Sequence, residues 1–336
     1  MSSSLKSVKH PATLFVHGNL SKNIVNPKYY QCRDLILKQA NLNYTPQALQ
    51  KVDIGFGGTG VGHVEFTKDG EQCYAQALAF LITYNPKYLE NCLRILDAWA
   101  TTCRTFTGPN APLEAAWGTC AMARSLELLK YSCNPKLWRG DIEQRYIAWA
   151  NNLILPHLRG DTERYRLNWG FFNNWHTSIT EARLQLALLQ NDIQEVNWCI
   201  NNYIKIFNSY VLENGFTGET LRDSFHCIAG MGGLIQICEL LFHQGVDLYG
   251  LRNNLLMRCV EFHARLYGTT YTPPGYQRDQ FKISSYIEPC AWEIARNHFV
   301  NRRGLPMPYT DNLLKRLRPC GYVFHWGYDT LTHAIL

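Results

Sequence analysis

Apolar residues recur every three or four positions along most of this 336-residue chain, the spacing that gathers them on one side of an α-helix. It predicts helices over 71–84, 88–101, 113–131, 140–154, 178–189, 193–212, 219–243, 247–267, 285–299, 310–317 and 327–335. The first two read as an antiparallel pair joined at Asn85-Pro86-Lys87, because proline ends one helix and suits the first turn of the next. Short turn-rich links, such as GPNAP at 108–112 and ENGFTG at 213–218, separate the others. Strand-like alternation is scarce, and no linker composition interrupts the series. Successive helical hairpins bury their apolar faces only by closing or curling on one another. The reading is an all-α chain with one domain over residues 1–336. No fixed solenoid period is visible. Two stretches read as loops, GFGGTGVGHVEF (55–66) and YGTTYTPPGYQRDQFK (267–282). The first is glycine-rich but lacks the lysine and the strand-to-helix frame of a P-loop.

Two helix starts carry unusual residues. In FFNNWHTSITEARLQLALL (171–189) the periodic part begins near Ser178, and Ser178 with Glu181 forms a candidate capping box. Asn173 and Asn174 stand before it, and asparagine is a poor helix former that is costly to bury unpaired. In GETLRDSFHCIAGMGGLIQICELLFHQGVDLY (218–249), Arg222 and His226 lie four apart and share a helical face, with Phe225, Ile228, Ile235 and Phe242 on another side. The Gly230-Met231-Gly232-Gly233 run requires something to approach the backbone closely, either a helix or a ligand.

Composition narrows the function classes. Hydrophobic residues at 46% and charged residues at 18% suit a globular chain. The net charge of +6 is compatible with an acidic ligand, while the absence of any RNP, zinc-finger or basic-region pattern speaks against nucleic acid. No run reaches the roughly 18 apolar residues that cross a bilayer, and the N-terminal segment has no apolar leader core, so neither a membrane span nor a leader is expected. The 12 cysteines form no CxxC pair. They read as buried, reduced thiols of an intracellular protein rather than zinc ligands or a disulfide scaffold, although secretion stays open.

Five blocks, in order, resemble the alginate lyase superfamily of polysaccharide lyases. GEQCYAQALAFLITYNPKYLENCLRILDAWA (70–100) is similar to its early helix pair, and TGPNAPLEAAWGTCAMARSLELLKY (107–131) to its NAPL block. NNWHTSITEARLQLAL (173–188) is similar to its GNW helix, and ETLRDSFHCIAGMGGLIQICELLFHQGVDLY (219–249) to its RD…H and NQGVDLY block. WEIARNHFVNRRGLPMPYT (292–310) resembles its YNHY and PYT block. The resemblance spans roughly residues 60–312 and implies an incomplete (α/α) toroid. It further implies cleavage of a glucuronan- or alginate-type polyuronate by β-elimination, with an acidic polysaccharide as partner, no metal and no cofactor.

A polyuronate lyase removes the proton at C5, beside a carboxylate, and expels the sugar linked through O4. The carboxylate must be held and neutralised, a base must reach C5, and an acid must protonate O4. In the family an asparagine, a histidine, an arginine and a tyrosine share these tasks. Carried over by block, Asn174 grips the carboxylate beside His226, unless it merely caps its helix, and Asn173 stays out of the cleft. His226 neutralises the carboxylate or acts as base, and Arg222 pairs with substrate, holds His226 or makes a structural ion pair. Asn110 is a substrate contact or a turn residue, and Trp117, Trp169 and Trp175 are candidates for stacking on sugar rings. The chain departs from the family where YNHY is replaced by Arg296-Asn297-His298-Phe299, so both tyrosines of that motif are missing. Tyr286 is the first candidate to replace them, with Tyr276 behind it. His298 or His226 is the alternative base, and Asn297 and His298 are candidate substrate contacts. If none serves, the chain is a glycan-binding relative without activity. A glycoside hydrolase would instead need two carboxylates flanking the bond, drawn from Glu114, Glu181, Glu219 and Asp223.

Overall fold

The architecture follows from two kinds of helix that alternate along the chain. In this computed structural model, which describes residues 4–160, 172–287 and 291–336, one kind is buried on every side. Helix α3 (His63–Thr83) is buried over most of its length. Helix α5 (Ala111–Lys130) is buried from Ala111 to Leu129, and α7 (Asn174–Gln190) from Asn174 to Leu189. Helix α9 (Ser224–His243) is buried from Cys227 to Leu241. The other kind is amphipathic. Helix α4 (Pro86–Thr102) buries Leu89, Cys92, Leu93, Leu96 and Trp99, while α8 (Ile193–Tyr210) buries Val196, Cys199, Ile200, Tyr203 and Phe207. These are single stripes at helical spacing. The all-buried helices pack on one another in the order α3, α5, α7, α9, and α4 and α8 cover α3 and α7 from outside, with α6 (Gly140–Trp149) against α4. This is an (α/α) toroid, with an inner and an outer layer.

The ring is completed by shorter pieces. Helices α1 (His17–Val25) and α2 (Tyr30–Gln39) meet α13 (Asp329–His333), and α2 also packs on α3. On the far side α10 (Leu251–Gly268) lies against α12 (Pro308–Leu317), and the short α11 (Trp292–Arg296) packs on α9. A charge cluster around the buried Glu239 ties this closure together. Glu239 of α9 accepts two hydrogen bonds from Arg302, at 3.0 and 2.6 Å, and one from Tyr249 Oη at 2.8 Å. His243 Nε2 lies 3.0 Å from the same carboxylate, and His333 Nε2 donates to the Leu14 carbonyl at 2.7 Å.

Several boundaries differ from those predicted. Helix α3 starts at His63 rather than 71, directly after Gly62 at φ 94°. Helix α7 starts at Asn174, and its cap is Asn173, not Ser178. Asn173 Oδ1 accepts from the Trp175 amide at 3.1 Å, with His176 closing a capping box. Ser178 and Glu181 are both buried mid-helix. The 219–243 helix begins at Ser224, capped by Asp223. The 285–299 helix reduces, among the described residues, to α11 and a π-turn over Asn297–Arg302. Part of the 55–66 loop forms one strand of a small sheet. β1 (Lys51–Ile54) pairs antiparallel with β2 (Gly60–Val61) and parallel with β3 (Thr105–Thr107).

Close packing explains the glycines of α9. A Cβ at Gly233 would lie 2.9 Å from Thr177 Cβ on α7, and one at Gly230 would lie 2.1 Å from Tyr210 Oη on α8. The approaching body is a pair of helices, not a ligand. Helix α9 is long and apolar enough to cross a bilayer, at mean hydropathy 1.5, contrary to the reading of the sequence. That apolarity matches its place in the inner layer, where 83% of the apolar window is buried. The eleven described cysteines are all buried and unbridged, and Cys290 lies outside the described residues.

Candidate active site

Inner and outer helices alternate up and down along the chain, so the inner ones run in one direction and their N-termini share one end of the toroid. A cavity of about 510 Å³ opens there. His63 comes from the start of α3, and Asn110, Leu113, Glu114 and Trp117 from the cap and first turns of α5. Trp175 comes from α7, and Arg222, Phe225 and His226 from the entry and first turn of α9. Phe56, Gly57 and Gly58 of the strand-linked turn and Phe324 from the C-terminal hairpin complete the wall. The small sheet fixes the turn beside the α5 cap, because the Asn110 amide donates to the Ile54 carbonyl at 3.1 Å. Each helix N-terminus carries a partial positive charge, of order half an elementary charge. Four of them facing one cavity favour an anionic ligand.

A chain of polar contacts runs along one side of this cavity. Asp223 caps α9 by accepting from the His226 amide at 2.8 Å, and its Oδ2 lies 2.7 Å from His226 Nδ1. Arg222 Nη2 lies 3.0 Å from His226 Nε2. A guanidinium can only donate, so Nε2 carries the lone pair and Nδ1 the proton, which Asp223 accepts. Arg222 Nη1 donates to Glu219 Oε1 at 2.9 Å. Glu219 is fully buried, and that burial pushes its carboxyl above the usual carboxylate range despite four donors. Besides Arg222, these are the Asn174 amide at 2.8 Å, Asn174 Nδ2 at 2.7 Å and Tyr210 Oη at 3.0 Å.

The structure thus joins Asn174, Arg222 and His226, but not as expected. Asn174 is buried, lies outside the cavity wall, and turns its amide to Glu219. The residue after it, Trp175, lines the cavity, because successive residues of a helix point about 100° apart. Asn173 stays out, as the cap of α7. Asn110 and Trp117 are both in the wall. Asn110 Nδ2 donates to Glu114 Oε1 at 3.0 Å, and Trp117 Nε1 donates to Ser178 Oγ at 3.3 Å.

Four expected site candidates lie elsewhere. Asn297 and His298 sit in the π-turn, where the His298 ring stacks on Tyr249 at 3.7 Å and meets Phe242 edge-on. Phe242 is 16 residues beyond His226 on the same helix, so this is roughly 24 Å from the cavity. Burial depresses the His298 imidazole to about 4, which suits a neutral core ring. Tyr286 is 58% exposed and outside the cavity wall, on a segment whose Ser284 amide donates to Ser224 Oγ at 2.9 Å. Tyr276 packs on Phe216 and Phe281. Trp169 lies outside the described residues. Among the described residues no tyrosine lines the cavity.

The carboxylate pair of a hydrolase is not assembled. Of the four acids considered, only Glu114 is in the wall among the described residues. Glu181 is buried further along α7, paired with Arg124 at 2.8 Å and His325 at 3.0 Å. Cys120, Glu181 and His325 come within 4.8 Å of one another there, but the Arg124 guanidinium on the same carboxylate opposes a metal ion. Residues that the sequence reading missed are His63, Phe56, Phe225 and Phe324. A lone histidine after a run of glycines was the only signal for the first.

The sequence model of the family described as "Alginate lyase" matches residues 61–270, a span that holds every cavity residue named above except the 56–58 turn and Phe324. Alginate lyase A1-III from Sphingomonas species A1 has a similar fold, at TM-score 0.69 and 15% identity over 98% of both chains. A variant of that enzyme complexed with tetrasaccharide matches at 0.64 and 16% identity, over 98% of this chain and 97% of its own. An alginate lyase from Bacteroides ovatus matches at 0.66 and 12% identity, over 96% and 99%. No curated protein matches the sequence.

Proposed function

Because the chain belongs to the alginate lyase family, we propose that this polysaccharide lyase cleaves an acidic polyuronate, of alginate or glucuronan type, by β-elimination in the cavity at the helix N-termini. The observation that carries the reading is the Arg222–His226–Asp223 array. It sets a fixed cation and an imidazole with an unprotonated nitrogen side by side at a site biased toward anions.

In this reading the uronate carboxylate takes the Arg222 guanidinium, forming a charge-assisted bond where the enolate charge will develop. Drawing Arg222 away frees the His226 Nε2 lone pair, which removes the C5 proton. Asp223 holds the ring in the required tautomer and balances the imidazolium that forms. Asn174 and Glu219 are positioning residues that hold Arg222 from behind. Trp117, Trp175, Phe56, Phe225 and Phe324 offer apolar faces to sugar rings. The tetrasaccharide held by the related alginate lyase is the kind of ligand such a cleft accommodates.

Incubating the protein with polymannuronate, polyguluronate and polyglucuronate, and following the ultraviolet absorbance of the unsaturated uronate, tests the reading. His226→Ala is expected to abolish the signal while retaining the fold. A second reading is favoured by the lack of a described tyrosine in the wall. It holds that the chain binds polyuronate without cutting it, and it predicts retardation in polyuronate gels with no absorbance change.

A further inference from the structure

A second histidine reaches the cavity from another side. His63 opens α3, and α5 and α7 stand between α3 and α9 in the inner layer. Its Nδ1 lies 2.9 Å from Oε1 of Glu114, which also accepts from Asn110 Nδ2. Glu114 is 1% exposed, and its Oε2 is buried without a partner among the described residues. A carboxylate so poorly solvated, with one neutral amide donor, needs the charge of His63. The other ring nitrogen, Nε2, sits beside Gly58 of the rim turn. A Cβ there would come within 2.8 Å of it, so the glycine makes room for the imidazole tip.

We propose that His63 is the proton donor to the leaving O4 oxygen, and that Glu114 and Asn110 are its positioning residues. The assignment rests on the β-elimination reading and supplies the acid that reading lacks. His226 Nε2 takes the C5 proton, the C5–H electron pair becomes the C4–C5 double bond, and the C4–O4 bond breaks. O4 takes its electron pair and the Nε2 proton of His63, giving a free hydroxyl on one product and an unsaturated uronate on the other. The two histidines end the turnover with their protonation states exchanged, and solvent resets them.

The electrostatics agree. The Glu114 contact raises the affinity of His63 for its proton against the opposing effect of burial, with the charges of Glu114 and Glu65 adding to it. Glu65 is on its own helix, Glu114 on α5, and Arg222 and His226 face it from the entry and first turn of α9. Arg222 is committed to Glu219 on its far side.

The test compares His63→Gln with the wild type on two substrates. One is the polyuronate that the wild type cleaves. The other is a uronate carrying 2,4-dinitrophenolate at C4, which departs without a proton. His63→Gln is expected to lower kcat/KM on the polymer by about 10²–10³-fold, to lose the alkaline limb of the pH profile, and to change the activated substrate by only a few-fold. Glu114→Gln keeps the imidazole and is expected to move the alkaline limb to lower pH. Equal losses on both substrates, or no loss on the polymer, would overturn the assignment of His63 while leaving the lyase reading intact. A wild type that releases no unsaturated product from any uronate would overturn both.

Discussion

Replacing Glu239 by glutamine probes how the toroid is closed. The carboxylate is fully buried, and its hydrogen bonds from His243 and Arg302, with the charges of His333 and Arg302, outweigh that burial and hold it down at about 2. The ordinary value is 4.5. A carboxyl that binds its proton more weakly when folded contributes stability above its unfolded value and loses it as pH falls through the folded one. At about 1.4 kcal/mol per pH unit, the interval corresponds to about 3 kcal/mol, lost between pH 4.5 and about 2. His333 and His298 act earlier. Burial lowers both to about 4, so each favours folding above 6.5 and ceases to do so as pH falls from 6.5 to about 4. Wild-type urea midpoints should therefore decline in two stages, the second assigned to Glu239. In Glu239→Gln the buried side of Arg302 loses its counter-charge, so stability at pH 7 should fall by roughly 3–5 kcal/mol, and the second stage should flatten. A variant with wild-type stability at pH 7, or with an undiminished decline below pH 4.5, would refute the account of the ring closure.

Two further substitutions separate site from scaffold. Asp223→Asn keeps a good helix cap but removes the charge opposite His226 Nδ1, so the melting temperature should hardly move while lyase kcat drops by about 10²-fold or more. A parallel loss of both would mean that Asp223 acts only as a cap. Gly233→Ala gains about 1 kcal/mol of helix propensity. The new methyl, however, meets Thr177 at 2.9 Å and the Thr177 backbone at 3.1 Å. Overpacking costs roughly 1–3 kcal/mol, more so where backbone must move, so thermal melts should show net destabilisation. A raised melting temperature would refute the tight α7–α9 contact.

Much of the site was legible because short-range chemistry set it. Arg222 and His226 were paired from their spacing, and they touch, although Arg222 precedes the helix. Asp223 three residues before His226 makes cap and tautomer anchor from adjacent sequence. Asn174 shows where such reading stops. Its family block put it at the entry to a helix, but whether it or Trp175 faces the cavity depended on where α7 begins. That start was set by Asn173 and His176 rather than by Ser178 and Glu181. His298 carried a motif resemblance into the wrong part of the molecule, because a π-turn and the stack on Tyr249 are invisible to block order.

The mostly helical fold was readable from apolar spacing, since amphipathic stripes such as that of α8 announce a helix and its buried face in a single segment. The inner helices announced less. A helix buried all round loses its stripe, and α9 came to resemble a membrane span because every side of it meets protein. Which groups share the cavity was decided by the ring itself. His63 and His226 are 163 positions apart, on helices separated by two others, and no local pattern links them. Alternating helix direction brings their N-termini to one end, and only that closure puts two imidazoles and a guanidinium around the same space.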